Sequence, residues 1–301
     1  MSYICIIKIN STAVYNKENL ILETFLKLTN QTCPYGYEDD LVQLMIEQGI
    51  FPTDLQKDIH GNYFYKIGES RTIFASHLDT VSKDYVQVVH TFDDYLIGTD
   101  GKTTLGADDK AGMTVILYMI ENKVPGLYYF FIGEEVGCIG SSAASTLDFS
   151  DYKKCVSFDR RGYDSVITEQ LYGVCCSDEF ASALSQELNK KNLTFNFRPD
   201  PTGIFTDSAC FMDSIPECTN ISVGYFNEHK HNETQDIKFL VNLCEAVVKI
   251  DWTSDNTLDI GKGGDWAELG VVTKNGLKTF LINNFYQKYL FFLLTLRYEI
   301  F

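Results

Sequence analysis

The sequence predicts an α/β fold, a mixed β-sheet with helices packed on it. Three observations predict it. Short apolar runs at 72–76, 127–132, 155–158 and 220–225 read as buried strands. Segments with helical spacing of apolar residues lie between and around them. Each run also delivers metal-ligand side chains at or just past its carboxyl end, the edge where open α/β sheets bind ligands.

In chain order, 1–15 is a short lead-in, and 16–28 has a helical face of Leu20, Ile21, Phe25 and Leu28. A turn at Pro34-Tyr35-Gly36 precedes a second helix over 38–48. Residues 63–67 form a strand, and the strand 72–76 ends in His77-Leu78-Asp79. Residues 86–97 read as a β-ribbon around Asp93-Asp94 that carries a structural His90; His60 belongs to a turn. Asp108-Asp109-Lys110 sits between Gly106 and Gly112 just before a helix over 113–121, where a carboxylate suits the helix N-terminus. An N-cap role is open to either aspartate.

The run 127–132 stops at Gly133, and Glu134-Glu135-Val136-Gly137 follows. Adjacent residues on an extended segment point to opposite sides, so one glutamate can face a metal and the other a water or substrate. Taken alone, the pair reads as a polar turn. Residues 155–158 lead to Asp159, and 220–225 to His229 and His231. Two imidazoles with several carboxylates form a borderline-hard donor set suited to zinc, cobalt or manganese. Further helices are expected over 180–189 and 236–250, and Cys175 and Cys176 read as buried strand residues. From 252 to 301 the chain is a tail whose apolar stretch, 289–296, is too short to span a bilayer.

The whole chain bounds these readings. Its 301 residues suffice for a sizeable core. A net charge of -16 argues against nucleic acid or anionic lipid as partner. Nine cysteines without a Cys-x-x-Cys argue against a zinc ribbon and for a reducing compartment. The N-terminus lacks the pattern of a signal peptide, so a cytoplasmic location is expected.

His77-x-Asp79, Gly106-x-Asp108-Asp109-Lys110-x-Gly112, Glu134-Glu135-x-Gly137 and Asp159 occur in the order seen in dizinc exopeptidases, which the chain resembles over roughly 16–250. The aspartate motif is similar to that of peptidase T, and the glutamate motif to that of glutamyl aminopeptidases. The resemblance implies a three-layer mixed β-sheet with helices on both faces, and a catalytic domain over 16–251. It implies two divalent ions, zinc first, with cobalt or manganese as alternatives. Asp108 would bridge them, His77 and Asp159 completing one site and Glu135 with a late histidine the other. Asp79 would orient His77, and Glu134 would be the general base.

The family's last ligand is a histidine with an acid four residues later. His229 and Glu233 fit that spacing; His231 and Asp236 are one residue too long. Only about 70 residues separate Asp159 from these histidines, so no separate lid domain is expected. The expected activity is hydrolysis of peptide bonds at the N-terminus of peptides by a metal-activated water. The alternatives are a lid-less amidohydrolase acting on N-acyl amino acids or dipeptides, and a catalytically silent metal- or peptide-binding protein. Oligomeric state is left open.

Overall fold

The computed structural model describes residues 12–171 and 173–253, with side chains from residue 18 onward. Residues 1–11 of the expected lead-in, and the tail from 254, lie outside the described residues, and the first helix already begins at Thr12, within the 1–15 expected as lead-in. An eight-stranded mixed sheet forms the middle layer. Its strand order is Gln56–Lys57, Tyr63–Ile67, Gly126–Phe131, Thr72–His77, Lys154–Arg160, Glu217–Ser222, Ser165–Ile167, Arg198–Asp200. The four strands from Gly126–Phe131 to Glu217–Ser222 are parallel, so their carboxyl ends share one edge.

Strand alternation separates two apolar faces. On one, Phe74 stacks on Tyr128 and Phe158 and meets Trp252 edge-on. On the other, Tyr129 stacks on Phe131, which packs against Phe211. Each such side chain contributes roughly 1.5–3 kcal/mol by leaving water. Helices lie over both faces.

The helix Ala107–Glu121 packs on the Thr72–His77 and Lys154–Arg160 strands and beneath the helices Thr12–Leu28 and Ile237–Val247. It is buried from Ala107 to Ile120, which explains its weak amphipathic pattern. Gly112 permits this approach. A Cβ there would lie 2.1 Å from the Phe158 carbonyl oxygen. The opposite face carries the short helix Ile139–Ala144 and the 3₁₀ turn Asp207–Phe211.

A four-stranded antiparallel sheet, ordered Tyr225–Phe226, Thr234–Asp236, Leu96–Thr99, His90–Asp93, stands beside the main one. The expected ribbon is thus shifted a few residues toward the C-terminus and extended by two later strands. Residues 227–233, which include His229, are the hairpin loop of this sheet.

Several boundaries differ from expectation. The central helix begins at Ala107 rather than 113, because Asp108 and Asp109 kink its first turn with non-helical dihedrals. The run 220–225 breaks at Gly224, whose φ of 92° turns the chain into the second sheet. Cys175 and Cys176 are buried but lie past the short strand Gly173–Val174. Their burial is apolar packing, which composition alone cannot distinguish from strand. Trp252, assigned by sequence to the tail, is buried, and its indole N–H donates to the Val247 carbonyl at 2.9 Å. Among the described residues, the segment between Asp159 and His229 supplies strands of the main sheet and the helix Asp178–Lys191, with no lid domain. Among the described residues, no helix is long and apolar enough to cross a membrane.

Candidate metal centre

Five separated segments meet at the shared strand edge. His77 ends its strand, is buried, and places Nε2 3.1 Å from Asp108 Oδ1 and 3.8 Å from Asp159 Oδ1. His229 Nε2 lies 3.0 Å from Asp108 Oδ2 and 3.0 Å from Glu135 Oε2. Asp108 therefore presents one oxygen to each imidazole. Two donor groups result, His77–Asp108–Asp159 and Asp108–Glu135–His229, the atoms of each within 4.8 Å of one another.

The aspartate turn divides its labour. Gly106, at φ 73°, bends the chain into the helix, and the Asp108–Asp109 peptide is cis. Asp108 faces the centre. Asp109 faces back into the fold, accepting the Ser76 hydroxyl at 2.6 Å and the Gly112 N–H at 3.1 Å. The buried Lys110 ammonium donates to the Leu78 carbonyl oxygen. These two residues tie the turn to the His77 strand, a task that an N-cap alone would not need.

Asp79 works on two elements. His77 Nδ1 is 3.0 Å from its carbonyl oxygen and 3.5 Å from its carboxylate. The two carboxylate oxygens accept the backbone N–H groups of Glu134 and Glu135 at 3.0 and 3.1 Å. Glu38 holds the same turn from the other side. One oxygen accepts the Gly133 N–H at 3.2 Å and the other the Gly36 N–H at 2.6 Å.

Asp159 is fixed by three residues. Tyr225 donates its hydroxyl to Oδ1 at 3.0 Å, and Thr206 donates to Oδ2. The Asn220 amide accepts the Asp159 N–H at 2.8 Å and donates to its carbonyl at 2.7 Å. Glu134 lines the cleft together with Asp108, Asp159, Tyr225 and His229. Its Oε1 accepts the Cys138 thiol at 3.4 Å.

Electrostatics separates these groups. Burial holds the Glu134 carboxyl well above the usual carboxylate range, with Asp159, Asp207 and Glu135 adding to the effect. Burial also pushes Glu135 up to about 7, helped by Asp108. Burial opposes charge on His77, but hydrogen bonds to Asp108, Asp159 and Asp79 outweigh it and raise the imidazole. Burial would raise Asp108 too; hydrogen bonds from His229 and His77 instead hold it well below the carboxylate range. His229 is pushed up to about 11 by Asp108 and Glu135.

This donor set fits a metal pair. Three mutually repelling carboxylates converge with two imidazoles, and a cation offsets that repulsion. Glu135 Oε1 is buried with no protein partner among the described residues, as a ligand oxygen would be. His231 belongs to neither group and contacts the Gly101 carbonyl through Nδ1 at 3.1 Å. His90 contacts the Thr29 hydroxyl at 2.8 Å, and His60 sits in its turn, its N–H donated to Asp58.

No family model matches the chain, and no curated protein matches it in sequence. Solved structures do match it. A tripeptidase from Staphylococcus aureus shares 18% identity at a TM-score of 0.63, over 78% of this chain and 98% of that one. The chain has the zinc exopeptidase fold. Aminopeptidase PepT from Bacillus cereus gives 17% and 0.61, over 77% of this chain and 97% of its own. An aminopeptidase from the archaeon Desulfurococcus kamchatkensis gives 15% and 0.57, over 85% and 99%.

Glu38, Thr206 and Asp207 were not singled out by the sequence, and Asn220 and Tyr225 only as strand residues. Asp207 is buried beside this centre, with Oδ1 unpartnered among the described residues, and burial raises its carboxyl well above the ordinary range. An isolated acid or hydroxyl carries no periodic signal. The one available cue was Glu38 in the first turn of the helix Glu38–Glu47, beside the Pro-Tyr-Gly turn.

Proposed function

We propose that the chain is a two-metal aminopeptidase, releasing residues from the N-terminus of peptides. His77, Asp108 and Asp159 would hold one divalent ion, and Asp108, Glu135 and His229 the other, with zinc the best match. Bound there, the ions supply Lewis acidity and lower the pKa of water.

The chain's own residues do the rest. Glu134 accepts the proton of the attacking water as its oxygen adds to the peptide carbonyl carbon. Glu134 returns that proton to the nitrogen as the C–N bond breaks. Asp79 keeps Glu134 and Glu135 at fixed positions through their backbone N–H groups.

The observation that carries this reading is the division of Asp108, one oxygen toward His77 and the other toward His229. Peptidases among the proteins of this fold support the reaction class. The test is to strip the purified protein with a chelator and restore zinc, cobalt or manganese. Bound ions are counted, and hydrolysis is measured on peptides and on N-acyl amino acids. Two ions per chain and metal-dependent release of N-terminal residues are expected. Turnover of acylated amino acids alone would favour the amidohydrolase. A folded protein that takes up no metal and gains no activity would overturn the reading.

A further inference from the structure

The cleft in front of the centre carries an arginine that the chemistry above does not use. Arg160 and Arg161 are the only lysine or arginine side chains among the described residues lining it. In a chain of net charge -16, beside a cluster of carboxylates, two such cations need a reason. Arg161 has one in the protein. Its Nη1 lies 3.2 Å from Glu228 Oε1, and it is largely exposed.

Arg160 is different. Its side chain is only 16% exposed. Its Nη2 donates to the Thr202 hydroxyl at 3.0 Å and to the Thr202 carbonyl at 3.2 Å, both neutral acceptors. The carboxylate paired with it, Asp200, is 3.8 Å away. That carboxylate is already engaged, by the Ser165 hydroxyl at 2.6 Å and the Thr202 N–H at 2.8 Å. The Nε of Arg160 is buried with no partner among the described residues. The guanidinium is therefore held in place by neutral groups, with its charge poorly matched and donors left over. A planar guanidinium in that state is matched by a carboxylate, which can accept two parallel N–H bonds.

We propose that Arg160 anchors a carboxylate of the peptide substrate. The inference rests on the peptidase reading, since the anionic groups of an unmodified peptide are its carboxylates. Two sources share this chemistry: the free C-terminus of a short peptide, and an acidic side chain at its N-terminal residue. Either makes Arg160 a specificity-determining residue, separate from the groups that hold metal or move protons.

The experiment uses matched pairs on the metal-loaded protein. Ala-Ala-Ala against its C-terminal amide tests the C-terminus. Glu-Ala-Ala amide against Gln-Ala-Ala amide tests the side chain. The acid member of one pair should be preferred by about ten- to a hundredfold in kcat/KM, the range of a charged hydrogen-bonded pair. Arg160→Gln should bring that ratio close to one. Arg160→Lys should keep part of it, and Arg161→Gln should leave it in place. Calorimetric binding of the same four peptides to the chelated protein gives a readout that needs no turnover.

Absence of hydrolysis with the acid preference intact in binding would sink the peptidase reading and keep the anchor. No acid preference in either pair, by either readout, overturns the anchor. So does a ratio unchanged in folded Arg160→Gln, or unchanged in Arg160→Lys if the glutamine variant does not fold. A ratio that follows Arg161→Gln instead overturns the assignment to Arg160.

Discussion

Glu233 accepts the backbone N–H of Asp108 at 3.0 Å, and its second oxygen accepts that of Gly106 at 2.8 Å. The acid four residues after His229 thus grips the turn that positions the shared aspartate. Glu233→Gln would replace one acceptor by an N–H facing another N–H. A buried donor left without a partner costs about 1–3 kcal/mol, so urea unfolding should show a loss in that range. Metal affinity should fall by roughly 10–100-fold, as when an outer partner of a ligand is removed. Unchanged stability and metal content would mean that the turn holds itself.

The adjacent glutamates should fail differently. Glu135→Ala removes a ligand-type oxygen and should lower bound metal by about one equivalent. Glu134→Gln keeps the shape but cannot take the proton. Turnover should drop about 10²–10⁴-fold with both ions in place. Metal analysis and steady-state rates on the two variants decide the matter; near-native turnover of Glu134→Gln would move the base elsewhere.

The two late histidines give a third comparison. His229→Ala should lose about one metal equivalent and most turnover. His231→Ala removes a contact to the Gly101 carbonyl on an exposed loop and should shift stability by no more than about 0.5 kcal/mol. Metal loss in the His231 variant would reverse the assignment.

A pH series tests the carboxylate cluster. Burial pushes Glu135 up to about 7 and Glu233 up to about 8, against roughly 4.3 in an unfolded chain. Between those values the folded chain binds more protons than the unfolded one. That contribution to the stability of the chelated protein is fully present below about pH 4.3 and is lost as pH rises through 7 and 8. Asp79 and Asp108 are shifted downward, so what they contribute is lost only as pH falls through their depressed values. Urea unfolding of chelated protein from about pH 5.5 to 8.5 should therefore show falling stability. Metal binding requires deprotonated ligands, so apparent affinity should rise over the same range with protons released. Calorimetry in buffers of different ionisation enthalpy reads that release; a flat profile would contradict the burial of these acids.

The fold and the ligand types were legible because they sit at interruptions of a pattern. His77, Glu134, Glu135 and Asp159 each break an apolar run, and a polar residue at a strand end stands out. The residues that hold them do not. Glu38 lies in a helix, Tyr225 and Asn220 in strands, and Thr206 in a loop, and none violates its local pattern. Their partners are 47 to 95 residues away in sequence, visible only once the sheet is assembled. The kinked start of the central helix was hidden for the same reason. Its geometry depends on Glu233, more than 120 positions downstream.

The His229 hairpin has a kinetic consequence. Of the five ligand-type residues, His77 and Asp159 sit on strands of the large sheet, Glu135 lies in the turn that follows Gly126–Phe131, and Asp108 opens the buried central helix. His229 alone hangs from the small sheet, whose outer strand, His90–Asp93, is largely exposed. Amide exchange there should be governed by local opening events rather than by global unfolding. An event confined to His229 and its neighbours, with Glu233 still holding the Asp108 turn, would detach one donor from one ion and leave the other site's donors in place. The two ions would then have different residence times, and dilution into chelator should release them in two phases rather than one.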